Sequence, residues 1–218
     1  MKLFAISDIH GATKPIEAAA ALIRAADGVV VSGDITRGKT RSEAEEVVAC
    51  IEQYSTRILA VHGNWDRPEV MTFLEDKGYS LHGTGRTLDG TGFFGLGGSS
   101  PTPIHTATEY TEKDIDGLLR VGYQTVHEAA RTVLVSHVPP RGVRDRSFLG
   151  LRGGSHSLKR FLETHPVSLC LCGHIHEAAG IERFRDTLVA NAGSFKRGHY
   201  LTVELGPTIT VTAGRVAH

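Results

Sequence analysis

Near the C-terminal end of the chain, Gly173-His174-Ile175-His176 follows an apolar run at residues 167–172. In an extended segment residues i and i+2 point to the same side, so both imidazoles face one space. Their backbone positions lie about 7 Å apart at about 3.3 Å per residue. That separation suits two imidazoles on one metal ion, or one on each of two neighbouring ions. Taken alone, such a pair is more often solvated or hydrogen-bonded. Residues of the same chemical kind stand at the ends of other apolar runs, however. Asp8 and His10 follow residues 2–7, Asp34 follows 28–32, Asn64 follows 57–61 and His137 follows 132–136. With His174 and His176 these make two carboxylates, one amide and four imidazoles. Seven such donors without a thiolate are too many for one closed tetrahedral zinc. They suit two divalent ions that share a carboxylate and keep positions open for water, the arrangement that clamps the attacking and leaving oxygens of an in-line displacement. Two ions, two carboxylates and a bridging hydroxide leave one net positive charge, which favours a phosphoryl substrate.

The elements that must position these residues alternate along the chain. Residues 2–7 read as a strand and 15–26 as a helix with Pro15 in its first turn. Residues 28–32 are β-branched and apolar, as in a strand covered on both faces. A helix over 42–54 has Ser42 and Glu45 at capping-box spacing, and 57–61 form a third strand. The next helix starts at Asp66-Arg67-Pro68-Glu69, with Asp66 as cap and Glu69 reaching back, and runs to Asp76 before Gly78. Three β-loop-α units predict parallel strands with helical crossovers. Ligand sites in such sheets form outside the carboxyl ends of the strands.

The remainder is less regular. Residues 81–98 hold seven glycines and short apolar pieces, consistent with hairpin strands around Asp89-Gly90. A Pro- and Thr-rich loop over 99–108 leads to an amphipathic helix over 111–127 that opens with Thr111-x-x-Asp114. Residues 141–154, with four arginines, four glycines and no periodicity, read as a mobile surface loop. A helix over 157–164 precedes the strand at 167–172. Residues 180–214 read as four strands with turns at Arg185-Asp186, near Gly193 and at Gly206-Pro207. No repeat or linker interrupts the chain, and 218 residues fit a single domain over 1–218.

Composition narrows the function classes. The chain is 40% hydrophobic and 22% charged, enough to bury a full core. Lys plus Arg equals Asp plus Glu at 24 each, so net charge gives no case for nucleic acid or an anionic membrane, although a local basic patch is compatible with it. The three cysteines are too few and too poorly spaced for a disulfide framework; Cys170 and Cys172 alternate with leucines and read as strand packing. No window approaches the apolar run of about 20 residues that a membrane span needs. Lys2-Leu3-Phe4-Ala5-Ile6 carries no basic leader, and a reducing, cytoplasmic location is the expectation.

In order and in strand-loop context, Asp8-x-His10, Gly33-Asp34, Gly63-Asn64-x-Asp66, His137 and Gly173-His174-x-His176 resemble the five blocks of the calcineurin-like metallophosphoesterases, across residues 8–176. The resemblance implies a four-layer αββα sandwich of two mixed sheets, with the hairpin-rich middle and the tail building the second sheet. It also implies that Asp8, His10, Asp34 and His176 hold one ion and that Asp34, Asn64, His137 and His174 hold the other, with Asp34 as the bridge. The ions implied are two divalent metals, manganese first, with zinc, iron, nickel or cobalt as others. Gly95-Leu-Gly-Gly-Ser-Ser-Pro-Thr-Pro and Asn191-Ala-Gly-Ser194 are similar to the small phosphoesterases related to the cyclic-nucleotide phosphodiesterase branch. The implied activity is hydroxide attack on a phosphodiester ahead of a monoester. The implied partner is a small phosphorylated substrate, with neither nucleic acid nor membrane; a homo-oligomer is compatible. The rival is a protein-interaction scaffold on the same fold, as in a retromer-type subunit, although a scaffold has no need of all seven ligands.

One position departs from the family pattern. Many members place a leaving-group acid where this chain has Trp65, which offers no usable proton. His62 could supply one instead, or be a hydrogen-bonded strand-end residue. Trp65 could stack on a base or aryl ring, or pack under its loop. Gly97, Gly98 and Ser99 could offer N–H groups to a phosphate, or form a plain turn. Arg141, Arg144, Arg146 and Arg152 could clamp a phosphate, or be solvated. His82, His105, His127, His156, His165, His199 and His218 match no motif and read as surface residues or as neighbours of the site.

Overall fold

The computed structural model describes residues 1–38 and 40–217. The chain runs through β1 (Lys2–Ile6), α1 (Lys14–Ala18), α2 (Ala20–Arg24), β2 (Gly28–Ser32), α3 (Arg41–Glu52), β3 (Ile58–Val61) and α4 (Pro68–Asp76). It continues through β4 (Gly85–Leu88), β5 (Thr91–Leu96), α5 (Glu112–Gln124), β6 (Arg131–Ser136), α6 (His156–Thr164) and β7 (Leu169–Cys172). The last strands are β8 (Gly180–Phe184), β9 (Thr187–Asn191), β10 (His199–Leu205) and β11 (Ile209–Arg215).

Strand β1 shows why there are two sheets. Leu3 and Ala5 point to one face, Phe4 and Ile6 to the other, and all four are buried. A strand that is apolar on both faces must be covered on both. On one side Phe4 and Ile6, with Val29, Val31 and Ala60, pack against helical residues such as Ile16, Val47, Ile51 and Phe73. On the other, Leu3, Ala5, Val30 and Leu59 meet Phe93, Val133, Val135, Leu169 and Leu171 from a second sheet. The reverse faces of that sheet, Phe94, Leu134, Cys170 and Val189, pack on Leu119, Leu158 and Phe161 of α5 and α6. Three cores therefore separate four layers, helix–sheet–sheet–helix. Cys170 and Cys172 sit in the third core as free thiols.

The first sheet has the order β11-β10-β1-β2-β3 and the second β4-β5-β6-β7-β9-β8. Strands β1, β2 and β3 are parallel, as are β5, β6, β7 and β9, while β10, β11, β4 and β8 pair antiparallel. Both sheets are thus mixed, as expected, but the tail does not all join the second one. Strands β8 and β9 extend the second sheet, whereas β10 returns beside β1 and carries β11 to the edge of the first. Alternation fixes which face of β10 is apolar, through Leu201, Val203 and Leu205, but not which sheet edge receives it.

Other expectations shift locally. The helix expected over 15–26 breaks at Ala19, whose N–H is shared by the Pro15 and Ile16 carbonyls at 3.0 and 3.1 Å. Helix α3 begins one residue before Ser42, with Thr40 as its N-cap and no side-chain capping bond. The capping box of Thr111 and Asp114 does form at the start of α5. Residues 141–154 are not a free loop: buried Asp145 accepts from the N–H groups of Gly142 and Gly154 and from Arg152, while Arg144 donates to the Ala178 and Ala179 carbonyls. Among the described residues no helix is long and apolar enough to cross a membrane.

Asp66 is the most instructive correction. It does not cap α4, whose N-cap is Arg67. Fully buried, its carboxylate takes the N–H groups of Ile35 at 3.0 Å, Thr36 at 2.8 Å and Gly63 at 2.8 Å, and the Thr36 hydroxyl at 2.8 Å. It thereby ties the loop after β2 to the loop after β3. Asp66→Asn puts an amide NH2 where two oxygens accept four donors, and hydrogen bonds to charged groups contribute about 1.5–3 kcal/mol. We expect a loss of about 3 kcal/mol in urea denaturation; an unchanged midpoint would show that the carboxylate does not join the loops.

Candidate metal centre

The parallel strands of both sheets end at one seam, and the loops beyond them bring the expected residues together. Asp8 and His10 follow β1, Asp34 follows β2, Asn64 follows β3, His137 follows β6, and His174 and His176 follow β7. Asp8, Asp34, Asn64 and His137 are buried, and the other three histidines are partly exposed. His176 Nε2 lies 3.0 Å from Asp8 Oδ1. Asp34 turns one oxygen towards each group of histidines, Oδ2 at 3.8 Å from His10 Nε2 and Oδ1 at 3.5 Å from His137 Nε2. Asn64 Oδ1 is 2.8 Å from His137 Nε2 and 2.9 Å from His174 Nδ1. Ligands at about 2.0–2.2 Å from one ion stand about 3 Å apart when adjacent, and the closest of these separations match. Donor atoms of Asp8, His10 and His176 lie within 4.8 Å of one another, as do those of Asp8, Asp34 and His137.

The hydrogen-bond network fixes which atoms face inward. Glu109, ionised, accepts the Thr106 hydroxyl at 2.6 Å, so that hydroxyl oxygen must accept from Asn64 Nδ2, at 2.9 Å. Burial raises Glu109, but hydrogen bonds from Thr102 and Thr106 outweigh it and bring it to about 2. The Asn64 carbonyl oxygen is therefore the atom directed at the histidines. His137 Nδ1 lies 2.8 Å from the Ser32 carbonyl and can only donate there, which leaves Nε2 as a bare lone pair on the neutral ring. Burial keeps that ring neutral, holding His137 below the ordinary range. Two lone pairs, Asn64 Oδ1 and His137 Nε2, thus face each other at 2.8 Å. A cation held by both atoms fits this donor set.

Backbone geometry marks the same residues. Asp8, His10, Asp34 and His174 adopt φ of 56°, 47°, 52° and 67°, a region that side chains with a Cβ disfavour. Close packing adds to the constraint. A Cβ on Gly63 would overlap the Asp34 carboxylate, and one on Gly33 would come within 2.6 Å of His137 Nδ1. Asn191 draws the β7 loop into place, its Nδ2 lying 3.1 Å from the carbonyls of Gly173 and Ile175.

The family model of the calcineurin-like phosphoesterase superfamily domain matches residues 1–206. The chain belongs to this family. A relative in Methanocaldococcus jannaschii, an uncharacterized protein, is 33% identical over 199 residues, 88% of this chain and 87% of the relative. A Synechococcus protein named probable cyclic nucleotide phosphodiesterase is 26% identical over 170 residues, 71% of this chain and 60% of that protein. The crystal structure of a dimetal phosphatase from Danio rerio superposes with a TM-score of 0.69 at 14% identity, covering 99% of this chain and 96% of that one; at this identity the likeness concerns the fold. In this calcineurin-like chain the seam of the two sheets is where the phosphoesterase blocks meet.

Other candidate residues lie elsewhere. His62 is fully buried, with Nε2 3.2 Å from the Tyr110 hydroxyl and its ring against His82, and burial holds it well below the ordinary range. It faces the interior, out of reach of a leaving group in the open cleft. Gly97 and Gly98 spend their N–H groups on His82 Nδ1 and the His62 carbonyl, at 2.9 and 3.0 Å, so neither is available to a phosphate. Trp65 does stand at the mouth, 42% exposed, while its N–H holds Asp34 Oδ1 at 2.9 Å. Arg144 and Arg152 are engaged as described, and Arg141 and Arg152 border a second cleft beside His174. His105, His127 and His156 are exposed, whereas His165 and His199 are half-buried. His218 lies outside the described residues. The sequence reading missed Thr106, Glu109 and the Ser32 carbonyl, which no motif spacing could reveal. It also missed Arg37, Lys196 and Arg197, which line the cleft beside His10 and His176.

Electrostatics gives a test of the chelated protein. Burial lowers His10, His62, His82, His137, His174 and His199, taking His82 to about 4 and His174 to about 3. These rings stay neutral in the folded chain while their unfolded counterparts protonate near 6.5, so stability is lost as pH falls below that value. His176, raised by its bond to Asp8, acts oppositely, as does Asp34, which burial, Asp8 and Asp66 raise well above the ordinary range. Six lowered histidines against two raised groups predict a urea midpoint that falls between pH 7 and 5; a rising midpoint would mean that Asp34 and His176 dominate.

Proposed function

We propose that this protein is a dinuclear metal-dependent phosphodiesterase. Asp8, His10, Asp34 and His176 would hold one ion, and Asp34, Asn64, His137 and His174 the other. The observation that carries the reading is the opposition of Asn64 Oδ1 and His137 Nε2 at 2.8 Å, both lone pairs by the bonding of their neighbours. Asp34, with one oxygen towards each group of histidines, supports its role as the bridge. When bound, two divalent ions would acidify the attacking water and offset charge growing on the phosphoryl oxygens. The protein's part is positional. Ser32 and Thr36 carbonyls orient His137 and His10, and Thr106 orients Asn64. The name of the Synechococcus relative supports a diester over a monoester.

The test is hydrolysis of bis(p-nitrophenyl) phosphate and p-nitrophenyl phosphate after chelation and readdition of Mn²⁺, Zn²⁺, Ni²⁺ or Mg²⁺. Diester turnover restored by an ion is the expected result; none with any ion would favour the scaffold reading. In Asp34→Ala both ions should be lost together, because each loses a shared anionic ligand. Retention of two equivalents per chain would remove Asp34 from the bridge. His137→Ala should retain about one equivalent, since His137 serves one ion only.

Trp65 supports a further expectation. General acid catalysis contributes about 10²- to 10⁴-fold, and the benefit is largest for poor leaving groups. With an indole at this position and His62 buried, rates over a series of phosphodiesters should fall steeply as the leaving-group pKa rises. A flat plot, with chemistry rate-limiting, would show that another residue donates the proton.

A further inference from the structure

Beside His10 and His176 a cleft of about 500 Å³ opens, and its other walls are Arg37, Trp65, Ser194, Lys196 and Arg197. Three cationic side chains are among its lining residues and, among the described residues, no carboxylate lines it, although Glu43 pairs with Arg37 behind the wall. The reacting phosphoryl group does not require them. Two divalent ions against Asp8, Asp34 and a hydroxide already leave the positive charge that one diester neutralises. Arg197, with the terminal guanidinium nitrogens that Arg37 keeps outside its pair with Glu43, suits a second anionic group.

These cations are held in register with the centre. Glu43, itself buried, accepts the Arg37 backbone N–H at 2.8 Å and the Arg37 Nε–H at 2.9 Å, so this bond leaves the terminal guanidinium nitrogens to other partners. The turn carrying Ser194, Lys196 and Arg197 is pinned to the end of β1. Phe195 N–H donates to the Ser7 carbonyl at 2.8 Å, and Lys196 N–H donates to the Asp8 carbonyl at 3.2 Å. Arg197 is near enough to His176 to disfavour its protonation. Trp65 completes the cleft as a half-exposed ring above Gly38, in a loop anchored on Asp34. An aromatic face at the mouth of a basic cleft is the arrangement that stacks a base while its phosphate is neutralised.

We propose that this cleft is a nucleotide subsite, in which Trp65 stacks on the base and Arg37, Lys196 and Arg197 take a second phosphate, so that the substrate is a small dinucleotide-type diester bearing a 5′-phosphate. The inference rests on the phosphodiesterase reading for the scissile bond, but the subsite itself needs no metal ion. A cyclic nucleotide, with one phosphate, would leave the basic wall unused.

The chain has one tryptophan, so its emission reports this cleft alone. The chelated protein is titrated with AMP, adenosine, ribose 5-phosphate and inorganic phosphate. AMP should quench Trp65 and bind at least about tenfold more tightly than adenosine or ribose 5-phosphate, because it alone satisfies both walls. Arg197→Ala, which leaves the Glu43 contacts intact, should weaken AMP several-fold while leaving adenosine unchanged. The reconstituted protein should then cleave 5′-phosphorylated diadenosine phosphate with a KM about tenfold lower than the unphosphorylated dinucleotide, a difference reduced in Arg197→Ala. Equal affinities for AMP and adenosine, no quenching, or a 5′-phosphate preference undiminished in Arg197→Ala would each overturn the subsite. Hydrolysis without the AMP preference refutes the subsite and leaves the phosphodiesterase reading standing; AMP binding without hydrolysis does the reverse.

Discussion

Asp8 and Asp34 are buried within one cluster of imidazoles, where water is excluded and like charges repel. Desolvating even one carboxylate is costly without a compensating charge, and two side by side require cations or protons. The surrounding structure keeps them there. Asp8 N–H donates to the Gly33 carbonyl and His10 N–H to the Asp34 carbonyl, at 3.0 and 2.9 Å, so the loops after β1 and β2 hold each other in their left-handed conformations. Such a backbone costs of order 1–3 kcal/mol per residue and persists where its surroundings over-determine it. At the seam this strain falls on Asp8, His10, Asp34 and His174, and the bonds between the loops hold it there.

The loops at the seam are held by buried polar residues that substitute for a regular ladder. Asp66 gathers four donors between the loops of the first sheet, and Asn191 does the corresponding work below His174 and His176. Glu112, at the start of α5, accepts from the Ser155 hydroxyl and from the N–H groups of His156 and Ser157, which anchors α6 and the segment leading to it. A buried backbone N–H must find an acceptor, and these side chains provide one where the strands have ended. The sheets carry the apolar burial, and their ends are free to carry chemistry.

The two clefts flanking the centre differ in character. One pairs cationic residues with an exposed indole; the other, beside His174, sets Arg141 and Arg152 against the apolar Pro101, Pro103 and Leu151. Overall neutrality conceals this asymmetry, since binding responds to local charge rather than to a sum over the surface.

The apolar runs and their punctuation were enough to read the parallel strands, the helical crossovers and the chemistry-bearing positions at strand ends, because strand alternation and loop composition are local properties. That Asp8, His10, Asp34, Asn64, His137, His174 and His176 stand at strand ends was legible for the same reason. Other features were not. Whether β10 pairs with the first sheet or the second depends on edges built by residues nearly the whole chain away. Asp66 has a helix-cap position in the sequence and a loop-tying role in space, since its four donors come from Ile35, Thr36 and Gly63. His62 and the pair Gly97 and Gly98 have the right types for catalysis and anion binding, but the packing of His82 and Tyr110 turns them inward. Which atom of Asn64 faces His137 rests on Thr106 and Glu109, a chain of donors and acceptors that exists only once distant loops have met. The sequence by itself determined the residue types and the strand ends that carry them; the tertiary structure decided their orientation and their company, because hydrogen-bond direction and burial are properties of neighbours in space.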